Sequence, residues 1–400
     1  MATELDLAAQ RRLVEALRDP AGYPHPVGHV SVIETHISFV LLTGNFAYKI
    51  KKAVDLGFVD YTTLAQRQFF CEEELRLNRR LAPSLYLAVV PLSGSPEHPV
   101  LDNGGEPIEF AVKMTEFAQR DLLDQVLARD ELTFSQLDIL ALRLAEFHQQ
   151  MPSAPPASVF GSLQTVQEAV AENFTTLRAN LACDARLSAL LAWCKREYTS
   201  LEPSLRTRLE NGWIREGHGD LHLGNLLLHR GKPLAFDCIE FNPSLRWIDV
   251  INDLAFLVMD LVAHNRPDYA WHLLNTWQEN TGDYAGMAML RFYMVYRALV
   301  RAKVACLRKN DPAQAPSVQQ LATEAASHYL DIAQLLSLPT PRVLLITHGF
   351  SGSGKSRLAR QIIEHLGGIR LRADVERKRL QQLAPLQASQ SGLNTGLYTP

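Results

Sequence analysis

Short apolar runs with alternating polar positions dominate the first 115 residues. Runs of this length that are rich in β-branched and aromatic residues favour β-strands. They cover residues 30–33, 39–42, 46–51, 86–90 and 108–114. Leucines at helical spacing over residues 5–18 and 63–81 predict two helices, and Gly and Pro within residues 91–107 predict a hairpin loop. We therefore expect a small antiparallel sheet with a helix inserted after its third strand.

From residue 116 onwards the apolar positions recur at helical spacing. The predicted helical segments cover residues 121–150, 163–200, 203–211, 249–309 and 316–336. Residues 226–237 interrupt them with a strand-like pattern, and the Pro-containing residues 337–341 indicate a linker. We predict an α+β fold with an N-terminal lobe over residues 1–115, a mostly helical lobe over 116–336 and a further domain over 342–400.

Polar residues mark both ends of the hairpin predicted over residues 226–237. The two strands of an antiparallel hairpin end side by side, so Asn225 before the hairpin and Asp237 after it should converge. Asp220 lies five residues before Asn225. Carboxylate and amide oxygens suit Mg²⁺, and phosphoryl transfer also needs a separate base that orients the attacking hydroxyl. The pattern therefore predicts Mg²⁺-assisted phosphoryl transfer.

Composition limits the classes of function. Hydrophobic residues make up 47% and charged residues 21%, as in an ordinary globular enzyme. The net charge of -3 provides no basic field that would indicate a nucleic acid or a membrane as partner of the two lobes. The five cysteines form no CxxC pair, and the polar first residues do not resemble a signal peptide. We expect buried free thiols in a cytoplasmic protein.

The loop before the hairpin resembles the catalytic signature of the aminoglycoside phosphotransferase family and of related small-molecule kinases. It reads His218-Gly219-Asp220-x-His222-x-x-Asn225. Members of this family share a two-lobed protein-kinase-like fold. The resemblance implies that Asp220 is the catalytic base, that Asn225 and Asp237 hold Mg²⁺, and that ATP or GTP is the phosphate donor.

By the same resemblance, the N-terminal sheet supplies the nucleotide lid. Lys49 takes the place of the lysine that pairs with the α- and β-phosphates. Lys51 is the alternative, because strand alternation puts both lysines on one face. In the helix predicted over residues 63–81, Glu74 lies on the same face as several leucines and is the expected partner of Lys49.

The first hairpin departs from the kinase pattern because it has no GxGxxG loop. Phosphate contacts are therefore assigned to Ser38 and to backbone amides of the loop before it. Residues 110–116 are expected to hinge the lobes and to contact the adenine edge through their backbone. Asp253 is expected to support the catalytic loop, and Glu240 to contact either a second metal ion or the base of that loop.

A second motif follows the linker. A buried-strand pattern over residues 342–348 precedes GxxxxGKS and then a helical pattern, which is the context that a P-loop requires. Backbone amides in such a loop bind phosphate, its lysine reaches the β- and γ-phosphates, and its serine binds Mg²⁺. The residues in these positions are Gly349, Gly352, Gly354, Lys355 and Ser356.

Asp374 follows a second short strand pattern, and Arg377 lies one helical turn further on. This segment resembles P-loop kinases of small molecules and polynucleotides, of the AAA or zeta-toxin type, in which the Asp contacts the substrate hydroxyl and the Arg binds phosphate. A charged helix start is the alternative. A P-loop domain needs a parallel sheet of several strands. Residues 342–400 therefore predict an incomplete α/β domain, as in a fragment of a longer protein.

Three functions are compatible with these patterns. The first is a kinase that phosphorylates the hydroxyl of a small molecule through Asp220. The second is a nucleotide-binding regulatory protein with a degenerate kinase domain, suggested by the missing glycine-rich loop. The third assigns the main activity to the P-loop half. The oligomeric state stays open. The acceptor also stays open, because the acidic residues suited to a polycationic acceptor form no cluster in the sequence. They are Asp121, Asp124, Glu168 and Glu172.

Overall fold

The computed structural model describes residues 5–57, 59–155, 158–181, 183–311, 314–350, 352–383 and 387. The N-terminal lobe contains α1 (Leu7–Ala16), β1 (Ser31–Glu34), β2 (Ser38–Leu42), β3 (Phe46–Lys51), α2 (Leu64–Asn78), β4 (Tyr86–Ser95), β5 (His98–Leu101) and β6 (Pro107–Thr115). The strands form one antiparallel sheet in the order β1-β2-β3-β6-β4-β5. The loop predicted over residues 91–107 is wrong in part. These residues extend β4 and add β5, because pairing with β6 supplies hydrogen bonds that local composition does not reveal.

Alternation along β3 gives the sheet two distinct faces. Tyr48 and Ile50 pack in one apolar cluster with helix α1, whereas Ala47 packs on the opposite side in a cluster that includes Cys71 of α2. Because side chains two apart share a face, Lys49 and Lys51 point towards α2 together with Ala47. A capping box at Thr63 starts α2. The face that carries the lysines is therefore the face that α2 covers.

The C-terminal lobe is mostly helical. It contains α3 (Leu123–Ala128), α4 (Phe134–Gln150), α5 (Leu163–Asn180), α6 (Arg186–Glu210), β7 (Ile214–Glu216), β8 (Leu226–His229), β9 (Lys232–Ala235), α7 (Pro243–Arg246), β10 (Trp247–Asp249), α8 (Val250–Ala263), α9 (Pro267–Thr281), α10 (Met287–Lys309) and α11 (Pro316–Ser337). The predicted helix break between residues 200 and 203 is absent, since α6 continues through Pro203.

Helix α8 lies at the centre of this lobe, where it contacts α9, α10 and α11. Of its 14 residues, 13 are buried. A helix that is buried on all sides is expected to be apolar throughout. The exceptions are Asn252, Asp253 and Asp260. Buried carboxylates are costly unless they are hydrogen-bonded, and both aspartates accept backbone amides of residues 218–223.

Beyond the linker, the chain forms α12 (Lys355–Leu366) and α13 (Ala373–Leu380). The predicted buried strand over residues 342–348 is wrong. These residues form no strand and are exposed, with Leu344 at 83%. The strand predicted before Asp374 is also absent. A strand of a parallel sheet is stable only beside other strands, and the described part of the chain after the linker contains none.

Helix α9 holds the segment after the linker along one stripe. His272 contacts Glu364 of α12, with 2.9 Å between Nδ1 and Oε1. Two turns further on, Glu279 accepts a hydrogen bond from Arg370 Nε at 2.8 Å. The other ring nitrogen of His272 contacts Asp138 of α4 at 2.8 Å. Helix α12 is thus fixed to the C-terminal lobe by charged contacts.

The fold bears on membrane crossing and on the state of the cysteines. Among the described residues, we find no helix that combines the length and apolar character needed to cross a membrane. The cysteines are unpaired, and four of them are buried as expected, but Cys183 is exposed. A cytoplasmic location stays a prediction.

Candidate active site

The predicted hairpin is present, and two residues with positive φ form its tight turn. Strands β8 and β9 pair in register, with Leu226 opposite Ala235. Arg230 and Gly231 in the turn have φ of +50° and +77°, the left-handed conformation of tight hairpin turns. The pairing continues to the open end, where the Phe236 amide donates to the Asn225 carbonyl at 3.0 Å. Asn225 therefore lies next to Asp237.

Asp220 and Asn225 are in direct contact. Asn225 Nδ2 donates to Asp220 Oδ2 at 2.8 Å and to the Asp220 carbonyl at 3.0 Å. His222 Nδ1 accepts from the Gly224 amide, so Nε2 carries the proton and faces Asp220 Oδ2 at 3.4 Å. Burial raises the pKa of Asp220, but His222 and then His218 more than offset this and hold it well below its usual range. The site thus contains an ionised carboxylate and leaves Asn225 Oδ1 available to a metal ion.

Asp253 of α8 supports the catalytic loop from below. Its two carboxylate oxygens accept the amides of His218 and Gly219 at 2.8 and 2.9 Å, and His148 Nε2 lies 3.2 Å from Oδ2. A Cβ on Gly217 would lie 2.7 Å from Asp253 Oδ2, so only glycine allows this approach. The structure thus places Asp253 in the supporting position expected from the resemblance.

Lys49 bridges the two lobes. Its ammonium contacts Glu74 Oε1 and Asp237 Oδ1, both at 2.8 Å. Burial raises the pKa of Glu74, but Lys49 and Lys51 outweigh it and lower the pKa to about 2. The structure thus brings the expected lysine and glutamate together and adds Asp237 to them.

Lys51, the alternative lysine, is a second partner of Glu74. Its ammonium contacts Glu74 Oε2 at 2.7 Å and also binds Glu240, which accepts a further hydrogen bond from Tyr61 at 2.8 Å. The Glu240 carboxylate thus contacts Lys51 and Tyr61 of the N-terminal lobe rather than the base of the catalytic loop, and its contact with a second metal ion stays a prediction. Both lysines therefore share one carboxylate, and each reaches a different residue of the loop after β9.

A further ionic cluster was not expected from the sequence. Glu216, two residues before His218, accepts hydrogen bonds from Arg76 of α2, from Arg80 in the turn after that helix and from Arg246. Arg246 in turn donates to Glu73 of α2 at 2.7 Å. The i, i+3, i+7 spacing of Glu73, Arg76 and Arg80 was the available signal. The cluster ties α2 to the catalytic loop.

An apolar cluster joins the two lobes. Strands β2, β3 and β6 provide one side, and the β8–β9 hairpin provides the other. Its members include Val40, Ala47, Met114, Leu227 and Phe236. The chain crosses between the lobes after Thr115, so most of the hinge predicted over residues 110–116 is strand β6. Val40, which pairs with Lys49 across the β2–β3 ladder, and Phe236 are partly buried members of this cluster and offer apolar surface that suits a nucleotide base.

The loop that replaces the glycine-rich turn is closed on itself. Thr35 Oγ1 accepts the Ser38 amide at 3.0 Å and donates to the Ser38 carbonyl at 3.1 Å. Ser38 lies opposite Lys51 in the β2–β3 pair rather than at the loop tip. Its hydroxyl is buried and finds no hydrogen-bond partner among the residues that the structure describes. This unpaired oxygen faces the side of the sheet that carries both lysines. A polar ligand bound on that side would supply the missing hydrogen bond.

The residues present fit a nucleotide bound with Mg²⁺. Asn225 and Asp237 offer two oxygen ligands, and Mg²⁺ in phosphoryl-transfer sites takes its remaining ligands from phosphates and water. Among the described residues, no group of three or more His, Cys, Asp or Glu side chains is arranged to hold a metal alone. This donor set suits a metal ion that arrives with a nucleotide.

The residues of the P-loop motif lie at the start of α12. Gly352 and Gly354 adopt φ of +80° and +86°, and Gly349 has φ of +147°. Lys355 Nζ donates to the carbonyls of Gly349 and Phe350 at 2.7 and 2.6 Å. Ser356 is the second residue of α12.

Asp374 and Arg377 lie together on α13, where Asp374 pairs with Lys378 at 3.2 Å. Arg370 and Arg372, which precede them, bind Glu279 of the C-terminal lobe. These two arginines are therefore engaged in the contact with α9. The role of Asp374 and Arg377 in a second substrate site stays a prediction.

Comparison with known proteins identifies related sequences. Residues 68–290 match the model of the phosphotransferase enzyme family, and residues 344–398 match an AAA domain model. Uncharacterized proteins of Mycobacterium tuberculosis and Mycobacterium bovis are each 32% identical over 381 residues, which cover 94% of this chain and 74% of the relative.

Solved structures of similar fold include three kinases. The aminoglycoside 2'-phosphotransferase-IIIa complex with GDP is 14% identical, with a TM-score of 0.48 over 82% of this chain and 98% of that chain. For amicoumacin kinase hAmiN with AMP-PNP and Ca²⁺ the identity is 13%, the TM-score 0.49, and the coverage 82% and 96%. A choline/ethanolamine kinase family protein of Mesorhizobium loti is 12% identical, with a TM-score of 0.45 over 81% of this chain and 99% of that chain.

The family match over residues 68–290 includes the loop from His218 to Asp237. Together with the relatives at 32% identity, this match covers more than half of the chain. The chain belongs to the phosphotransferase enzyme family and carries an AAA-type region after its kinase-like lobes.

Proposed function

We propose that this protein transfers the γ-phosphoryl group of ATP or GTP to a hydroxyl group of a small molecule. The observation that carries this proposal is the contact between Asp220 and Asn225, held beside Asp237 and the Lys49–Glu74 pair. An ionised carboxylate, two oxygen ligands for a metal ion and a buried lysine are the parts that such a transfer needs.

Asp220 acts on the acceptor. The acceptor oxygen forms a bond to the γ-phosphorus, the bond from that phosphorus to the β,γ-bridging oxygen breaks, and the nucleoside diphosphate leaves with that oxygen. Since Asp220 is ionised at neutral pH, it orients the hydroxyl first and takes its proton as the new bond forms. Asn225 and Asp237 would hold Mg²⁺, which when bound neutralises charge on the phosphates. Lys49, on the N-terminal sheet, neutralises further negative charge on the phosphates.

Residues 349–356 support a second nucleotide-binding site, in line with the AAA domain match. Lys355 at present binds the carbonyls of its own loop, and an incoming phosphate would compete with these for the ammonium. We assign this site to nucleotide binding and the transfer reaction to Asp220.

The test follows radiolabelled γ-phosphate from ATP and from GTP into a metabolite extract. Asp220→Asn should abolish the transfer but keep nucleotide binding, measured as thermal stabilisation by ADP. Asp130→Asn, at a side chain that is 87% exposed, is the matched control and should behave as wild type. Unchanged transfer by Asp220→Asn would refute the assignment.

Two other results would favour the alternatives. Nucleotide binding by the wild type without transfer to any fraction would support a regulatory protein with a degenerate kinase domain. Loss of transfer in Lys355→Ala together with retention in Asp220→Asn would move the reaction to the P-loop region.

A further inference from the structure

Asp237 has a strained backbone at the point where the hairpin ends. Its φ is +62°, in the left-handed region that residues with a Cβ mostly avoid. Strand β9 already ends at Ala235, so the turn of the hairpin does not require this conformation. Strain of this kind persists only where the surrounding structure fixes it, and it is concentrated at functional sites. Contacts around Asp237 must therefore hold it in place.

Two side chains of the N-terminal lobe bind the backbone at this point. The Asp237 amide donates to the Tyr86 hydroxyl at 3.2 Å, and the next amide, that of Cys238, donates to Asn78 Oδ1 at 2.9 Å. Tyr86 is the first residue of β4 and Asn78 is the last residue of α2. Both are buried, with exposures of 1% and 0%. Two consecutive amides of the C-terminal lobe thus depend on acceptors that the other lobe supplies.

The orientation of Asn78 is fixed from α2. Its Nδ2 donates to the carbonyl of Glu74, one turn earlier, at 2.9 Å, so Oδ1 is the atom that faces Cys238. Glu74 also binds Lys49, which contacts the Asp237 carboxylate at 2.8 Å. Helix α2 therefore holds this region twice, through the backbone and through the carboxylate. The Asp237 side chain stays 45% exposed and is accessible to a ligand.

The catalytic loop pairs with the amides on either side. The Phe236 amide donates to the Asn225 carbonyl at 3.0 Å, and the Ile239 amide donates to the His218 carbonyl at 3.1 Å. These contacts fix the two ends of the segment against the catalytic loop. The conformation between the ends depends on the two acceptors from the N-terminal lobe, because an unpaired amide inside a protein is unfavourable.

We propose that Asn78 and Tyr86 are positioning residues, which hold Asp237 in the left-handed conformation in which it serves as a metal ligand. This inference rests on the proposed function, which assigns Asp237 to Mg²⁺. Without either acceptor, an amide loses its partner and the strain is no longer offset. Asp237 then relaxes to negative φ, which turns its carboxylate away from Lys49. The conformation that binds a metal ion is then populated only in part, and the apparent affinity for the ion falls by that fraction.

Two substitutions remove the acceptors with little change in volume. Tyr86→Phe deletes only the hydroxyl, and Asn78→Leu replaces the amide by an apolar group of similar size. One matched control is Tyr23→Phe, because the Tyr23 hydroxyl donates to the Leu17 carbonyl in the cluster on the opposite face of the sheet. The other is Asn173→Leu, at a buried asparagine of α5. Both controls remove a buried polar group without changing the segment after β9.

The first experiment measures hydrogen exchange without nucleotide or metal ion, so it does not depend on activity. In a peptide that covers residues 236–240, Tyr86→Phe and Asn78→Leu should exchange at least about tenfold faster than wild type, because a protecting hydrogen bond is absent. Tyr23→Phe and Asn173→Leu should match wild type in this peptide. Unchanged exchange in both test variants would overturn the inference, and a change in one alone would overturn the role of the other residue.

The second experiment measures the Mg²⁺ concentration that half-saturates thermal stabilisation by ADP. All proteins carry Lys355→Ala, which weakens nucleotide binding at the P-loop motif. Tyr86→Phe and Asn78→Leu should raise this Mg²⁺ midpoint at least about tenfold. Tyr23→Phe and Asn173→Leu should lower the melting temperature at most and keep the midpoint. An unchanged midpoint in both folded test variants would overturn the inference.

Asp237→Asn separates this result from the proposed function. Loss of the ligand itself should raise the Mg²⁺ midpoint at least as far as loss of either acceptor. If Asp237→Asn kept the wild-type midpoint, the proposed function would be wrong in this metal ligand. If Asp237→Asn raised the midpoint while Tyr86→Phe and Asn78→Leu did not, only the positioning role would be overturned.

Discussion

Lys51 of β3 and Glu240, three residues after Asp237, form a buried ion pair across 189 residues of sequence. Their side chains are 0% and 5% exposed. The pair connects the N-terminal sheet to the loop that carries Asp237, while Lys49 reaches Asp237 itself. Two lysines of β3 thus hold the sheet against the loop after β9, Lys49 through Asp237 and Lys51 through Glu240.

Removal of the Lys51 charge should destabilise the fold strongly. Lys51→Met leaves Glu240 without its cation and Glu74 with one lysine, and loss of one partner of a buried pair typically costs about 3–5 kcal/mol. The free energy of unfolding in urea measures this loss. Arg12→Met is the control, because Arg12 pairs with Glu97 through side chains that are 57% and 54% exposed, and it should cost at most about 1 kcal/mol. Similar losses in the two variants would contradict the buried role of Lys51.

The two lysines should differ in their kinetic effects. Lys49 contacts Asp237, one of the two proposed metal ligands, so Lys49→Met is expected to lower kcat/KM for the nucleotide at least about 100-fold. Lys51→Met should act mainly on stability and lower kcat/KM less, once folded. Steady-state transfer at several ATP concentrations, with unfolding measured in parallel, separates the two effects. The reverse order would exchange their roles.

Asp253 should control the rate without contacting any reactant. Asp253→Asn retains one oxygen acceptor for two backbone amides, so one amide of the catalytic loop loses its partner, at a cost of about 1–3 kcal/mol. We expect a lower kcat, unchanged affinity for ADP and a lower unfolding midpoint. Asp268→Asn, at a half-buried position on α9, is the control. A change in ADP affinity without a change in kcat would contradict the positioning role.

The contact between α9 and α12 should weaken as the pH rises. Burial lowers the pKa of His272, but hydrogen bonds to Asp138 and Glu364 more than offset this and raise it. A raised folded-state pKa stabilises fully below the unfolded value of about 6.5, and this contribution is lost as the pH rises through the folded value. Hydrogen exchange of the α12 amides, corrected for intrinsic rates, should therefore accelerate above pH 6.5.

His272→Gln should remove this pH dependence. His365→Gln, which changes an exposed histidine of α12 itself, should retain it. Identical pH profiles for these two variants would show that His272 does not control the contact.

Local signals in the sequence were sufficient for the catalytic loop. The hairpin needed only two apolar triplets and a left-handed turn at Arg230 and Gly231, and its pairing brought Asn225 next to Asp237. Strand alternation likewise put Lys49 and Lys51 on one face. Local signals failed for residues 342–348, whose apolar pattern predicts a strand but whose described surroundings offer no strand to pair with.

The sequence by itself determined the part of the candidate site that carries the base and the two metal ligands, because Asp220, Asn225 and Asp237 lie within 18 residues and the turn fixes the register of the hairpin between them. Only the tertiary structure decided which partners hold these groups. Glu74 binds two lysines, Glu216 gathers three arginines, and Arg297 reaches Gly219 across 78 residues. Such contacts depend on the packing of whole helices, and a buried charge takes whichever counter-charge that packing brings within reach.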